Sequence, residues 1–256
     1  IFNGLQKDLL APKLPSHLSP DRVIYLHGFA SSPKSKKAGV IVTALKEKGY
    51  DVVVPDQNAG NFSELTVSRS IDIVRRLLAD RNVIIGSSLG GYIASLVAAK
   101  DDRVKGLVLM APAFDFFEGL KGRHSIEEIQ IWQKDGFALV DHYGTAKPEK
   151  LSYKFFEDAK THQAYPVMRV PTYILHGNHD ETVDVRRSAR AKQMYQEWIN
   201  LDCVEDDHSL INSVPRALDA AKTLIEKLQF RPAYQQPSVE AALAVHENDE
   251  RFKGKL

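Results

Sequence analysis

Residues 83–96, Val83-Ile84-Ile85-Gly86-Ser87-Ser88-Leu89-Gly90-Gly91-Tyr92-Ile93-Ala94-Ser95-Leu96, constrain this chain more than any other stretch. An apolar run meets a Gly-x-Ser-x-Gly turn and passes directly into a small-residue helix pattern. A strand that ends at Gly86 and re-enters a helix at Leu89 forces Ser88 into a strained backbone conformation, with its side chain at the tip of the turn. Glycine is needed on both sides because a Cβ at either place would collide with the neighbouring strand or helix. Ser87 does not fit this role, since only Ser88 is centred between Gly86 and Gly90. The pattern alone is common, but a strand before it and a helix after it make it read as a nucleophile elbow.

The rest of the chain supplies the sheet such an elbow needs. Arg22-Val23-Ile24-Tyr25-Leu26, Asp51-Val52-Val53-Val54-Pro55, Val104 to Met110 and Pro171 to Leu175 are apolar runs bounded by turn residues, and a further strand is expected around Leu201 to Val204. Helical spacing alternates with them. Ile41, Ala44, Leu45 and Lys48 follow Ser35 and stop at Gly49; Val67, Ile71, Val74 and Leu78 mark a helix over about 64–79. A helix from Asp184 to about Trp198 follows the late strand. Leu218, Ala221, Ile225 and Leu228 mark the last, with Pro215 in its first turn. The expected fold class is therefore α/β, a mostly parallel central sheet with helices on both faces, since near-continuous apolar strands belong to a sheet covered on each side.

Between Ala113 and about Pro166 the alternation breaks. Ser125-x-x-Glu128 is a capping box for a helix ending at Gly136, Phe137-Ala138-Leu139-Val140 is a short extended piece, and Ser152 opens a second helix with Phe155, Phe156 and Ala159. This aromatic-rich segment, 113–166, is expected to be a mainly helical lid. Most of its aromatics should form its own small core, with Phe114, Phe117, Trp132 and Phe137 as candidates for lining a substrate pocket. The domain reading is an N-terminal arm over 1–20 with Pro12, Pro15 and Pro20, one domain over 21–230 containing the lid, and a polar tail over 231–256 with a short helix around Val239 to Val245.

Basic and acidic residues nearly balance, 34 against 33, so no global field points to nucleic acid or an anionic membrane surface. No apolar run approaches the roughly 18 residues of a membrane span, and the N-terminus lacks the layout of a signal peptide. A cytoplasmic location is the default expectation; because the chain starts at Ile1, a trimmed presequence stays open. The single cysteine, Cys203, excludes an intrachain disulfide and reads as a small buried strand residue. Oligomeric state is not legible here.

Functional loops of a parallel sheet follow the carboxyl ends of its strands. Those loops offer Ser88, then Asp180 in His176-Gly177-Asn178-His179-Asp180, then His208 in Glu205-Asp206-Asp207-His208-Ser209. A serine hydroxyl needs a base within hydrogen-bond reach, and a carboxylate fixes the tautomer of that base, so the order Ser, Asp, His suits this architecture. The backbone N–H of Leu89, at the positive end of its helix, and that of Phe29, after His27-Gly28, are the expected oxyanion donors. A metal site is the competing reading of His27, His176, His179 and His208, but His176 and His179 lack the i, i+4 helical spacing of a zinc hydrolase. His27 and His176 are expected to make packing and hydrogen-bond contacts instead. The Lys34, Lys36, Lys37 group reads as a solvated helix start, with an acidic-substrate site as the minority view; Lys121, Arg123 and His124 carry the same ambiguity.

Taken together, the elbow, the His-Gly-Phe after the first strand, the His-Gly-x-x-Asp after the late strand and the Asp-His before the last helix resemble the α/β-hydrolase family over about residues 22–229. Tyr25-Leu26-His27-Gly28-Phe29-Ala30-Ser31-Ser32-Pro33-Lys34-Ser35-Lys36-Lys37-Ala38 is similar to the opening of small bacterial YqiA-like esterases. The added lid is closer in layout to relatives that cleave acyl-thioester or acyl-glucuronide bonds. The resemblance implies hydrolysis of a small-molecule carboxylic ester or thioester through an acyl-serine, without metal or organic cofactor. Asp184 departs from it, standing where relatives often have proline, and is a rival to Asp180 for the acid. A catalytically silent binding module of the same fold is the alternative of another class.

Overall fold

The computed structural model describes residues 21–58 and 60–233. The expected arm over 1–20 and the expected helix around Val239 to Val245 lie outside the described residues.

Strands β1 (Arg22–Leu26), β2 (Asp51–Val53), β3 (Asn82–Ser87), β4 (Val104–Met110), β7 (Thr172–Gly177) and β8 (Ile199–Val204) form one sheet in the order β2-β1-β3-β4-β7-β8. All five pairings are parallel. Alternation along each central strand divides its side chains between two cores. Ile24, Leu26, Ile84, Leu107 and Leu109 face one core; Val23, Tyr25, Val83, Ile85, Val108 and Met110 face the other. Both faces are buried, which explains the near-continuous apolar runs. Each fully buried aliphatic side chain contributes roughly 1.5–3 kcal/mol.

Helices α2 (Val67–Leu77), α3 (Leu89–Ala98) and α7 (Val185–Met194) contribute to the first core, α1 (Lys36–Glu47) and α8 (Val214–Lys227) to the second. Local chemistry sets their starts. The Ser35 hydroxyl accepts from Ala38 N–H and the Thr66 hydroxyl from Arg69 N–H, a capping bond worth about 1 kcal/mol. Because Thr66 caps α2 and Phe62–Glu64 forms a separate 3₁₀ turn, that helix starts three residues later than expected. Helix α7 ends at Met194 rather than near Trp198. Both Trp198 and Ile199 donate to the Tyr195 carbonyl, closing a turn that feeds β8 two residues early.

The segment between β4 and β7 holds α4 (Phe116–Lys121), α5 (Ile126–Asp135), an antiparallel hairpin of β5 (Phe137–His142) and β6 (Lys147–Ser152), and α6 (Lys154–Ala159). The Ser125–Glu128 capping box is present, and Gly136 closes α5 at φ 77°. Helices make up most of its regular structure, as expected, but the extended piece at Phe137 is one strand of a hairpin. Its second strand, Lys-Pro-Glu-Lys-Leu-Ser, buries only Leu151, so apolar periodicity could not reveal it. The expectation of a separate small core needs correction. Phe114, Phe116, Trp132, Leu151, Phe155 and Phe156 are buried and continuous with the first core of the sheet. Cys203 lies on β8 as expected but is exposed, because β8 is an edge strand. Burial of its surroundings and Asp202 push its thiol pKa up, away from reactivity.

Candidate active site

The turn from β3 into α3 places Ser88 at φ 53°, ψ −117°, the strained geometry expected of an elbow. A Cβ on Gly86 would stand 2.5 Å from the Gly90 carbonyl oxygen, and one on Gly90 would stand 2.4 Å from that of Leu26. Both lie inside any tolerable contact, so the turn excludes every residue but glycine at these two positions.

Three loops meet at this turn. His208, after β8, holds Nε2 at 3.1 Å from Ser88 Oγ and Nδ1 at 2.7 Å from Asp180 Oδ2. A carboxylate only accepts, so Nδ1 carries the proton and Nε2 is left to accept from the serine. Asp180, after β7, has a fully buried side chain whose Oδ1 accepts from Thr182 N–H (2.9 Å) and Val183 N–H (2.7 Å). Burial alone would raise its carboxyl pKa, but the bonds from His176, His208 and Val183 N–H outweigh it and hold the group well below the usual carboxylate range. Asp184, the rival acid, instead caps α7 through Arg186 N–H and pairs with the Arg186 guanidinium.

The remaining histidines divide as their surroundings dictate. His27 is buried, with Nδ1 donating to the Gly28 carbonyl (2.9 Å) and Nε2 accepting from Gln57 N–H (3.3 Å); burial pushes its pKa down and keeps it neutral. His176 is buried behind the site: Nε2 lies 2.8 Å from the Val183 carbonyl and 3.1 Å from Asp180 Oδ2, and Nδ1 faces Ser188 Oγ at 2.7 Å. A carbonyl only accepts, so Nε2–H donates and Nδ1 accepts from Ser188. His179 pairs with Glu205 on the exposed rim. Among the described residues no three His, Cys, Asp or Glu side chains are grouped to hold a metal ion.

Gly28 packs against Ser88, with a Cβ position 3.4 Å from Ser88 Cβ, which brings the loop carrying Phe29 alongside Ser88. Among the described residues the Phe29 N–H and the Leu89 N–H donate to no backbone carbonyl. The hairpin of the inserted segment braces this loop. Tyr143 N–H donates to the Ala30 carbonyl (2.8 Å), and Asn58 Nδ2 bridges the Ser31 carbonyl and His142 Nε2, each at 3.3 Å.

Ser88 and His208 open into a cleft of about 1290 Å³. One wall comes from the inserted segment and includes Phe116, Leu120, Trp132, Val140 and Leu151; the other includes Lys36, Lys37, Thr182 and Asp207. Of the four aromatics expected to line a pocket, only Trp132 does. Phe114 is fully buried in the core, Phe117 packs on Phe156, and Phe137 lies under Lys150 on the outer face of the hairpin. Phe116 lines the cleft in place of its neighbours, because α4 starts there and turns that residue inward. Arg123 and His124 also line it, whereas Lys34 and Lys121 do not.

The sequence model of the uncharacterised protein family UPF0227 matches residues 22–226. The chain belongs to this family. Its match spans the sheet, the elbow and all three loops of the site. No curated protein sequence matches significantly. Among solved structures, alpha/beta hydrolase domain-containing protein 10 from mouse is similar with a TM-score of 0.66 at 23% identity, over 81% of this chain and 90% of that one. A protein from Agrobacterium vitis S4 described as a hydrolase gives 0.68 at 22%, over 80% and 88%. Est1E from Butyrivibrio proteoclasticus, solved with ferulic acid bound, gives 0.67 at 19%, over 82% and 90%. At these identities the likeness shows that this UPF0227 member has the α/β-hydrolase fold. Among the described residues no helix is long and apolar enough to cross a membrane.

Proposed function

We propose that the chain is a serine hydrolase cleaving carboxylic esters through an acyl-serine intermediate. The observation that carries this reading is the hydrogen-bonded series Ser88 Oγ, His208, Asp180, built on a strained elbow at the mouth of a cleft. Ser88 Oγ attacks the ester carbonyl carbon as His208 Nε2 takes its proton, and Asp180 stabilises the imidazolium so formed. Charge developing on the carbonyl oxygen is met by the N–H groups of Phe29 and Leu89, the latter at the N-terminus of α3. As the carbon–oxygen bond to the leaving group breaks, His208 returns the proton to that oxygen. Water, activated by the same histidine, then frees the acid and restores Ser88.

The inserted segment 113–166 serves as the lid, and its Phe116, Leu120, Trp132 and Leu151 suit an apolar acyl or aromatic group. A structural neighbour named as a hydrolase, and Est1E with its bound ferulic acid, support the same chemistry. A fluorophosphonate probe followed by intact-mass analysis tests the reading, together with hydrolysis of p-nitrophenyl esters of rising acyl length. One adduct at Ser88 and turnover that falls on the order of 10⁶-fold in Ser88→Ala are expected. A folded Ser88→Ala variant that keeps most of its activity refutes it.

A further inference from the structure

The hairpin of the inserted segment leaves one edge open, and that edge borders the cleft. Strand β5 pairs with β6 alone. Tyr153 N–H donates to the Gly136 carbonyl at 2.9 Å, and the hairpin continues in the same register, from Phe137 opposite Ser152 to His142 opposite Lys147. Hydrogen-bonded and non-hydrogen-bonded positions alternate along an antiparallel pair. Gly136, Ala138, Val140 and His142 therefore turn their N–H and C=O groups towards the partner strand, and Phe137, Leu139, Asp141 and Tyr143 turn theirs the other way. Two observations agree with this phase. Pro148, which has no N–H to give, stands opposite Asp141, and Tyr143 N–H leaves the hairpin to reach the Ala30 carbonyl at 2.8 Å. Among the described residues the outward N–H and C=O groups of Leu139 and Asp141 have no hydrogen-bond partner.

Ala138, Leu139, Val140 and Asp141 line the same cleft as Ser88, and so does Tyr143. They are successive residues rather than alternate ones, as happens when the edge of a strand and not one of its faces borders a cavity. The bond from Tyr143 to Ala30 ties one end of that edge to the loop carrying Phe29. Leu139 lies four residues further along, about 13 Å at the rise of a strand. Strand edges left to water are ordinarily guarded by lysine, proline or a covering element. This one instead exposes Leu139 by 67% and Tyr143 by 83%, with Asp141 between them. Its neighbour β6, by contrast, packs against the Phe62–Glu64 turn.

We propose that β5 takes the acyl part of the substrate as an added extended strand, so that the preferred substrates are esters of a short peptide's terminal carboxyl group rather than of a plain fatty acid. The inference rests on the serine-hydrolase reading and names the acyl class for it. An extended peptide presents N–H and C=O on one edge at every second residue, about 6.6 Å apart, which is the spacing of Asp141 and Leu139. A hydrocarbon laid there would take water from those groups and return no hydrogen bond. Main-chain bonds to β5 hold the peptide, and its alternate side chains meet the exposed Leu139 and Tyr143. In the reaction the bond from Ser88 Oγ to the terminal carbonyl carbon forms, the bond from that carbon to the leaving oxygen breaks, and the His208 proton passes to that oxygen. Water then splits the peptidyl-serine to the free peptide acid and Ser88.

The test compares the phenyl esters of N-acetyl-trialanine and of undecanoic acid, which match in backbone length, and adds trialanine esters N-methylated at each amide in turn. The wild-type protein should show kcat/KM about 10-fold or more higher for the peptidyl ester, as two or more main-chain hydrogen bonds allow. In the methylated series the loss should alternate, about 3- to 10-fold where the amide N–H faces β5 and little at the next amide. Leu139→Pro removes one outward N–H without touching the bonds to β6, a change that edge strands tolerate, and should lower the preference for the peptidyl ester about 3- to 10-fold. Leu139→Ala keeps that N–H and should keep the alternation. The methylated series needs only the wild-type protein and decides by itself if Leu139→Pro does not fold. A higher kcat/KM for the undecanoyl ester, a methylated series without alternation, or a preference unchanged in Leu139→Pro overturns the proposal. So does a wild-type dimer that Leu139→Pro dissociates while the methylated series stays flat, which gives the edge to a second copy of the chain. In each of these cases an adduct at Ser88 leaves the serine-hydrolase reading standing. Failure to hydrolyse either ester, with no adduct at Ser88, overturns both.

Discussion

His176 Nε2 lies 3.1 Å from Asp180 Oδ2, the same oxygen that accepts from His208 Nδ1. The histidine behind the site thus helps set where the acid points. His176→Gln should lower kcat by about 10- to 100-fold, the scale of 1–3 kcal/mol for losing one buried partner. KM should change little, because His176 does not line the cleft. Steady-state kinetics on a p-nitrophenyl ester checks the split; a change confined to KM would contradict this role.

Asp180→Asn should cost about 10⁴-fold in kcat, since an amide no longer selects the His208 tautomer that accepts from Ser88. Stability should respond to acid in a defined direction. A carboxyl whose pKa is lower folded than unfolded contributes stability above the unfolded value, about 3.9, and loses it as pH falls through the folded one. Any stability advantage of wild type over Asp180→Asn should therefore be full above about pH 5 and shrink on acidification. Urea titrations at several pH values measure this; an advantage that grows below pH 4 would refute it.

Gly90→Ala should be among the least tolerated substitutions in the chain. The new Cβ would meet the Leu26 and His27 carbonyl oxygens at 2.4 and 2.5 Å, backbone atoms at the end of β1 and just beyond it. Displacing β1 costs at least the 1–3 kcal/mol typical of overpacking. Thermal melts should show a marked drop in Tm, and any folded fraction should react slowly with a fluorophosphonate, because the same strand leads to Phe29.

Trp132→Ala should widen the apolar end of the cleft. Trp132 is 3% exposed and its Nε1–H donates to the Leu151 carbonyl at 3.0 Å, so truncation should destabilise by about 3–5 kcal/mol. In the folded enzyme the preference among p-nitrophenyl esters should move towards longer acyl groups. An unchanged chain-length profile would place the acyl group elsewhere.

Much of the candidate site was legible before any coordinates. The elbow announces itself because Gly86 and Gly90 are demanded by backbone sterics, and Asp180 and His208 follow because loops after parallel strands share one rim. The packing roles of His27 and His176 were also readable. Less visible were the contact of His176 with Asp180, the inward face of Lys37 and the cleft position of Phe116. Periodicity reveals which residues are buried but not which cavity a buried or half-buried side chain faces, so Phe114 and Phe117 were expected in a place that Phe116 takes. The strand β6 was hidden because a hairpin on an exposed face needs little apolar content.

For this chain, sequence alone determined the layered α/β architecture, the position of Ser88 and the order of the groups that serve it, because these depend on local backbone sterics and on strand-by-strand alternation. Tertiary structure alone decided that Asp180 rather than Asp184 reaches His208, and that Trp132, Phe116 and Lys37 border the cleft. Those outcomes arise where loops distant in sequence pack against one another, and no spacing along the chain encodes the distance between them.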